Sequence, residues 1–223
     1  MVAKFKDHDV VYMGESHLVK QEIQLLGRLI PKLYQAGIYD LAYEMGLSSE
    51  QVEIDKLIEA PAFDNTKALT ILFHWDPQIG WAFQEYADIF RAAWEVNHKA
   101  PKSAPHFRII GIDYGPDWSL VKPGDNVTSH QTRWRAWAGS NQITRNVTMA
   151  DLILRELAGK KRKVLVYGGF GHTSLLPTLD PREETGIRFS AAYLMRRQIG
   201  DRITSVRIVV DRSGRSCRSS TPF

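Results

Sequence analysis

Short apolar runs alternate along this chain with longer segments whose apolar residues recur at helical spacing. The runs lie near residues 10–14, 39–45, 107–113, 163–167 and 203–210. Strands that alternate with helices form parallel sheets, and a parallel strand covered on both faces is almost continuously apolar. The pattern therefore predicts an α/β fold: a mostly parallel central sheet of about five strands with helices on both faces.

The segments between the runs predict the helices. In the first, residues 16–36, the side chains of Ile23, Leu26, Ile30 and Leu33 would share one face, and Gly37 would end the helix. Further helices are predicted at residues 49–60, 63–73, 77–97, 144–157 and 189–199.

The sequence shows no internal repeat and no long linker. Its 223 residues are enough for one sizeable core. We therefore predict a single α/β domain over residues 1–210 and a polar C-terminal tail over residues 211–223. The segment 115–140, rich in Gly, Pro, Trp and Arg, is predicted to cover a site at the edge of the sheet.

Composition excludes several classes of protein. With 43% hydrophobic and 24% charged residues the chain is neither disordered nor collagen-like. A net charge of +4 is too small to indicate nucleic-acid binding, and one cysteine, Cys217, makes no internal disulfide. No apolar leader and no run of about 18 apolar residues is visible, so we expect a cytoplasmic protein without a membrane span. A small-molecule ligand or substrate is the expected partner.

Acidic and histidine side chains stand where the predicted strands end. Glu15 and His17 follow the first strand, Glu44 lies in the second, Asp113 ends the third and His172 follows the fourth. In open α/β sheets, ligands bind outside the carboxyl ends of the strands. We therefore expect these side chains to meet in one pocket.

These residue types suit general acid–base catalysis or a metal site. A carboxylate inside an apolar strand, as at Glu44 in LAYEMG, is costly unless it is paired or bound. The sequence lacks HExxH and CxxC zinc patterns, a GxGxxG or P-loop nucleotide motif, and a GxSxG nucleophile elbow. It therefore favours a site that activates water rather than one that binds a nucleotide.

Several short motifs resemble one superfamily in their order along the chain. They are the strand ending in GESH, the strand LAYEMG, the strand FRIIGIDY, the helix RNVTMADLI and the segment KVLVYGGFGH. Together they resemble the group that joins erythromycin esterases, ChaN-type haem-binding proteins and Tiki (TraB-type) proteins. The spacing Gly-Glu-x-His is closer to the ChaN and Tiki types, because erythromycin esterases place one more residue between glutamate and histidine.

The resemblance implies a hydrolytic site built from Glu15, His17, Glu44, Arg145 and His172. In one interpretation Glu15 and Glu44 orient His17, which takes a proton from water. In the other, His17, Glu44 and His172 ligate a divalent metal. Arg145, with Asp113 beside it, would bind the substrate. Alternatively, Arg145 forms a buried ion pair with Glu44 or Asp113.

Two other functions remain open at this stage. The first is a non-catalytic protein of the ChaN type, which binds haem or another flat ligand between aromatic side chains. The tryptophans available for stacking are Trp75, Trp81, Trp94, Trp118, Trp134 and Trp137. Core packing is the alternative for Trp81 and Trp94. The second is an interaction module that has kept the fold without the chemistry.

Overall fold

The central sheet of the computed structural model has five strands, all paired in parallel in the order β3-β2-β4-β1-β7. Its strands are β1 (Val10–Glu15), β2 (Asp40–Leu47), β3 (Arg108–Asp113), β4 (Val164–Gly169) and β7 (Ile203–Arg207). The predicted α/β fold with a parallel five-stranded sheet is confirmed. The structure describes residues 1–75, 81–115, 117–126, 129, 132, 136, 142–157, 162–181 and 186–208.

Six helices lie in the described part of the chain. They are α1 (Lys20–Gln35), α2 (Gln51–Glu59), α3 (Asn65–Trp75), α4 (Gln84–Lys99), α5 (Gln142–Leu157) and α6 (Ala191–Ile199). A two-stranded antiparallel hairpin, β5 (Thr178–Leu179) with β6 (Ile187–Arg188), precedes α6. Sequence patterning does not predict this hairpin, because two residues are too few for a period to show.

Helices pack on both faces of the sheet. On one face, Leu26, Ile58, Leu72 and Phe90 from α1 to α4 pack in one cluster with the strand residue Tyr167. On the other face, α5 and α6 contribute a second cluster, described next. Strands β1, β2 and β4 therefore bury both of their faces, which is why they read as nearly continuous apolar runs, whereas the edge strand β7 is only partly buried.

The second cluster lies between the sheet and helices α5 and α6. Met149 and Ile153 of α5 and Met195 of α6 pack with the strand residues Val10 and Val166. Among the helices of the described residues, four therefore pack on one face of the sheet and two on the other.

The first helix begins later than the sequence predicts. Its buried face, with Ile23, Leu26 and Ile30, is as predicted, but the helix begins at Lys20 rather than at Ser16. Leu18 has a φ of 65°, in the left-handed region, which a right-handed helix cannot include. His17 therefore lies in a turn between β1 and α1 and not in a first helical turn.

The long aromatic helix also begins later than predicted. Residues 81–83 are not helical and α4 begins at Gln84, because Phe83 adopts an extended backbone with φ −92° and ψ 146°. Trp81 thus stands before the helix. Residues 76–80, nearly half of the predicted cover at 115–140, and the predicted tail at 211–223 lie outside the described residues.

Strand β2 is irregular where it carries Glu44. Tyr43 pairs with Gly111 and Leu47 with Asp113, so the register shifts between them. Such irregularities re-aim side chains beside functional sites. None of the helices in the described part of the chain has the length and apolar composition needed to cross a lipid bilayer.

Candidate catalytic site

The candidate residues gather at the carboxyl edge of the sheet. Glu15 ends β1, Glu44 lies in β2, Asp113 ends β3, and His172 lies in the turn Phe170–His172 that follows β4. All four side chains are buried. Arg145 reaches them from α5.

A buried carboxylate and a half-exposed imidazole form the first part of the site. His17 Nδ1 lies 2.7 Å from Glu15 Oε1. The hydroxyls of Tyr86 and Tyr167 also donate to Glu15, at 3.3 Å and 2.5 Å. Burial, and then the charge of Glu15, raise the pKa of both tyrosines far above the ordinary value, so both hydroxyls keep their protons. Glu15 is therefore held in one orientation by three donors.

The second ring nitrogen of His17 points away from Glu15. Within the described residues Nε2 has no hydrogen-bond partner, and 42% of the side chain is exposed. The ring contacts Trp81, with centroids 4.7 Å apart. Burial alone would lower the pKa of His17, but its hydrogen bond to Glu15 and the charges of Glu44 and Glu15 raise that pKa above the ordinary 6.5.

The turn that carries His17 is fixed from both sides. The backbone N–H of Ser16 donates to Glu22 Oε2 at 2.7 Å, and the backbone N–H of Leu18 donates to the Tyr86 hydroxyl at 3.1 Å. A non-glycine residue with positive φ costs about 1–2 kcal/mol, so a turn of this kind is retained only where its surroundings hold it. Glu22 and Tyr86 supply that support.

Glu44 is the centre of the second part of the site. Its Oε2 accepts the backbone N–H of Gly169 at 2.5 Å, and its Oε1 lies 3.1 Å from Arg145 Nη2 and 3.3 Å from His172 Nε2. Burial alone would raise the pKa of Glu44, but the charge and hydrogen bond of His172 and the charge of Arg145 hold it well below the ordinary value. Glu44 is therefore a permanent negative charge.

Arg145 forms a buried ion pair with Asp113 and Glu44, as one of the two predicted alternatives proposed. Its Nε donates to Asp113 Oδ1 at 3.2 Å, and its Nη2 contacts both Asp113 Oδ2 and Glu44. Burial would lower the pKa of Arg145, but Asp113 and Glu44 raise it above the ordinary value. In this geometry Asp113 and Arg145 hold the carboxylate of Glu44 in position. Their role in substrate binding stays a prediction.

Asn146 is a site residue that the sequence did not single out. It follows Arg145 in α5 and is 1% exposed. Its Oδ1 lies 2.6 Å from His172 Nδ1 and accepts the backbone N–H of Ala191 at 3.0 Å. The asparagine therefore joins α5, the turn after β4 and the first residue of α6.

Gly169 lies where the two parts of the site meet. A Cβ built on Gly169 would lie 2.6 Å from His17 Nε2 and 3.6 Å from Glu44 Oε2. Its φ of −56° and ψ of 141° are open to any residue, so space rather than backbone conformation requires a glycine here. The backbone of Gly169 thus packs closely between the His17 ring and Glu44, and any side chain at position 169 would clash with the ring.

The fold brings the predicted site residues to the carboxyl edge of the sheet, from its two faces. The pair Glu15–His17 lies with the tyrosines of the α1–α4 face, and Glu44 lies with Arg145 of α5 and with His172. Sequence reasoning missed Tyr86, Tyr167 and Asn146, because their contacts join segments far apart in the chain. It also missed Glu22, whose contact with the backbone of Ser16 depends on the turn between β1 and α1. The glycine-rich segment GGFG was the one sequence feature that indicated a close approach of the backbone to a neighbour. At Gly169 the backbone does lie against the His17 ring.

No group of three or more His, Cys, Asp or Glu side chains suited to a metal ion occurs among the described residues. Both oxygens of Glu44 already face donors, and His172 Nε2 faces Glu44 rather than open space. Only His17 Nε2 remains available as a ligand. The metal-binding interpretation of His17, Glu44 and His172 stays a prediction that this geometry does not support.

The two tryptophans whose side chains the structure describes have different roles. Trp81 is 3% exposed and packs against His17 and Tyr86, so it forms a wall of the site. Trp94 donates to the carbonyl of Ala60 at 2.7 Å and stacks on His98, which is a packing role in α4. The side chains of Trp75 and Trp118, together with residues Trp134 and Trp137, lie outside the described part of the structure.

The fold is shared with several solved structures. A protein from Bacillus cereus superposes with a TM-score of 0.63 at 13% identity, over 92% of this chain and 66% of its own. ChaN of Campylobacter jejuni, which binds haem cofacially, superposes with a TM-score of 0.58 at 17% identity, over 93% of this chain and 84% of its own.

The C-terminal region of Pasteurella multocida toxin, which has a thiol-protease-like catalytic triad, also matches. Its TM-score is 0.58 at 12% identity, and the match covers 97% of this chain and 25% of the toxin chain. No protein-family model matches the sequence, and no curated protein matches it. At these identities the likeness concerns the fold: the chain has a ChaN-like α/β fold that toxin domains also use.

The buried ion pairs of Arg145 predict a large loss of stability on its removal. In Arg145→Met, Asp113 and Glu44 would lose their shared cation, and breaking a buried pair in this way costs about 3–5 kcal/mol. Arg155→Met is the matched control, because Arg155 lies on the same helix and pairs with Asp151 in an exposed position. Its loss should cost about 0.5 kcal/mol or less. Urea unfolding of both variants measures the difference, and equal costs would contradict the buried network.

Proposed function

We propose that this protein is a hydrolase in which His17 activates water. The observation that carries the proposal is the half-exposed ring of His17, whose Nδ1 lies 2.7 Å from the buried carboxylate of Glu15 and whose Nε2 has no hydrogen-bond partner among the described residues. A general base must reach the proton that it removes at about 2.6–3.2 Å, directly or through one water. A water on the exposed side of His17 would satisfy that condition, and the substrate would approach from the same side.

The pair Glu15–His17 supports this role chemically. With Nδ1–H donated to Glu15, the lone pair of neutral His17 lies on Nε2. As water attacks a substrate carbonyl, its proton passes to Nε2, and Glu15 stabilises the resulting imidazolium. The same nitrogen then returns the proton to the leaving group. Tyr86 and Tyr167 keep the carboxylate in the orientation that this transfer needs.

Glu44 positions the backbone that packs on His17 and takes no part in the proton transfer. It is held ionised by Arg145 and His172 and accepts the backbone N–H of Gly169. This bond fixes the position of the glycine relative to His17. No step of the proposed reaction runs through a metal, because the donor set of the described residues does not fit one. A relationship to the erythromycin esterases or Tiki proteins belongs to this proposal and rests on the motifs GESH, LAYEMG and GGFGH.

Variants at His17 and Gly169 test the hydrolase proposal. We expect His17→Ala to lower the rate on a hydrolysed probe by about 100-fold or more, the usual contribution of a general base. Gly169→Ala should lower it comparably, because the methyl group would clash with the His17 ring and displace it. The probes are a panel of p-nitrophenyl esters and fluorogenic peptides.

Gly27→Ala is the control for Gly169→Ala. A Cβ at Gly27 meets only Ile89 Cδ1 at 3.7 Å, so the fold should be unaffected and the rate unchanged. Circular dichroism and thermal unfolding check that all variants are folded. A folded Gly169→Ala protein with the full rate would show that the position of the His17 ring does not matter for turnover, and a folded His17→Ala protein with the full rate would show that His17 is not the base.

Haem or flat-ligand binding is the second candidate function. The side chains of Leu18, Phe83 and Phe170 are exposed and lie close in sequence to His17, Trp81 and Gly169, so they could contact a flat apolar ligand beside the half-exposed His17 ring. The ChaN-like fold is consistent with this candidate. Against it, the backbone of Gly169 crowds His17 Nε2. That crowding favours a small molecule such as water over a porphyrin plane.

Haem titration separates the two candidates. If the hydrolase proposal is right, added haemin should give no saturable Soret band that depends on His17. A ligand-binding protein would instead show a saturable band in the unmodified chain and lose it in His17→Ala. His106→Ala serves as the control, because His106 is exposed and pairs only with Glu59 at 3.6 Å. A band lost in the first variant and kept in the second would favour haem binding.

A further inference from the structure

Strand β3 forms one edge of the central sheet in the described part of the chain, with β2 beside it. The backbone N–H of Arg108 donates to the carbonyl of Tyr39, so Arg108 and every second residue after it face β2. Because backbone groups alternate in direction along a strand, those of Phe107, Ile109 and Gly111 face outward. Outward groups at an edge can pair with a strand of another chain unless something else binds them.

Two side-chain amides bind these outward groups. Asn97 of α4 accepts the N–H of Phe107 at 2.7 Å and donates to the carbonyl of the same residue at 3.0 Å. Gln51 of α2 accepts the N–H of Gly111 at 2.8 Å and donates to the carbonyl of Ile109 at 2.9 Å. A backbone N–H can only donate, so these contacts fix which terminal atom of each amide is the oxygen. Each amide thus offers the strand one donor and one acceptor, as the backbone of a neighbouring strand would.

The position of Gln51 is set by the fold around it. Its Nε2 also donates to Asp55 Oδ1 at 2.8 Å, one turn later in α2, so both terminal atoms of the amide are held. Strand β2 ends at Leu47, and a Cβ built on Gly111 would lie 2.5 Å from the carbonyl oxygen of Leu47. Only a glycine permits such a close approach. It lets the chain that leaves β2 pass β3 and place Gln51 on the outer side of that strand.

The sequence of β3 makes an unprotected edge hazardous. The run FRIIGI, residues 107–112, combines aromatic and β-branched residues and contains no proline. Runs of this kind pair readily with strands of other chains. Proteins commonly protect an edge with charges or proline, but the one charge of this run, Arg108, is engaged with Asp40 and Glu156. The protection of this edge therefore has to come from outside the strand.

We propose that Asn97 and Gln51 close the edge of β3 to a second copy of this chain, in the place of a sixth strand. A groove of about 450 Å³ lies beside this edge, lined in part by Gln51, Phe107 and Gly111, and a strand could approach through it if the amides were absent. A second copy is the expected partner, because each copy would present the same apolar run to the other about a two-fold axis. This role is separate from the proposed hydrolysis, since neither amide contacts a residue of that site.

Native-state hydrogen exchange of the unmodified chain tests the closure without any substitution. The outward N–H groups of Phe107 and Gly111 should exchange as slowly as the inward N–H of Ile110, because all three are hydrogen-bonded. In Gln51→Ala the N–H of Gly111 should exchange about tenfold faster or more, with that of Phe107 unchanged, and Asn97→Ala should give the reverse. Fast exchange of either outward group in the unmodified chain overturns the proposal, even if the variants do not fold.

Size-exclusion chromatography with light scattering, over a range of concentrations, measures the association itself. The double variant Asn97→Ala with Gln51→Ala should form larger species than the unmodified chain, because the edge of β3 is then open to pairing. The matched control is the double variant Asn65→Ala with Gln84→Ala. Those two amides pair with each other at 3.0 Å and 2.9 Å between α3 and α4 and bind no strand backbone, so their loss should leave the size unchanged.

Circular dichroism checks that each double variant is folded. A folded variant of Asn97 and Gln51 that keeps the size of the unmodified chain at every concentration overturns the proposal. A control that associates as strongly overturns it as well, because the loss of any amide pair would then have the same effect. Association of the edge variant alone supports the closure, whether or not the protein hydrolyses a probe.

Discussion

The buried carboxylate of Glu44 is the interaction on which the rest of the site depends. A charge in the middle of a parallel sheet is stable only when donors surround it. Here those donors come from three places: the backbone of Gly169 at the end of β4, Arg145 on α5 and His172 in the turn after β4. One carboxylate thus fixes two neighbouring strands, a helix and a loop relative to one another.

That constraint explains why the chemistry is divided between the two faces of the sheet. The cluster around Glu44 is closed, because each of its oxygens already faces a donor. In the pair Glu15–His17, three donors hold the Glu15 carboxylate, but Nε2 of the His17 ring has no hydrogen-bond partner among the described residues. A rigid charged group beside an adaptable proton acceptor is an arrangement suited to activating water.

The sequence could predict the fold and the residues at the edge of the sheet, because both follow from local pattern. Apolar runs give the strands, and parallel strands bring their ends together at one edge. The turn at Leu18 could not be predicted, since its positive φ is imposed by Tyr86 and Glu22. The different roles of Arg145 and Asn146 could not be predicted either. The two residues are adjacent on one helix, and their roles depend on the partners that the fold brings to each.

The charge state of His17 tests the central claim most directly. Because the hydrogen bond to Glu15 and the charge of Glu44 outweigh burial, an NMR titration of the unmodified chain should give His17 a pKa above the ordinary 6.5. In Glu15→Gln the charge-assisted bond is lost, so the pKa should fall while the fold is kept. A pKa at or below 6.5 that Glu15→Gln leaves unchanged would contradict the account, since His17 would then not be a base that Glu15 orients.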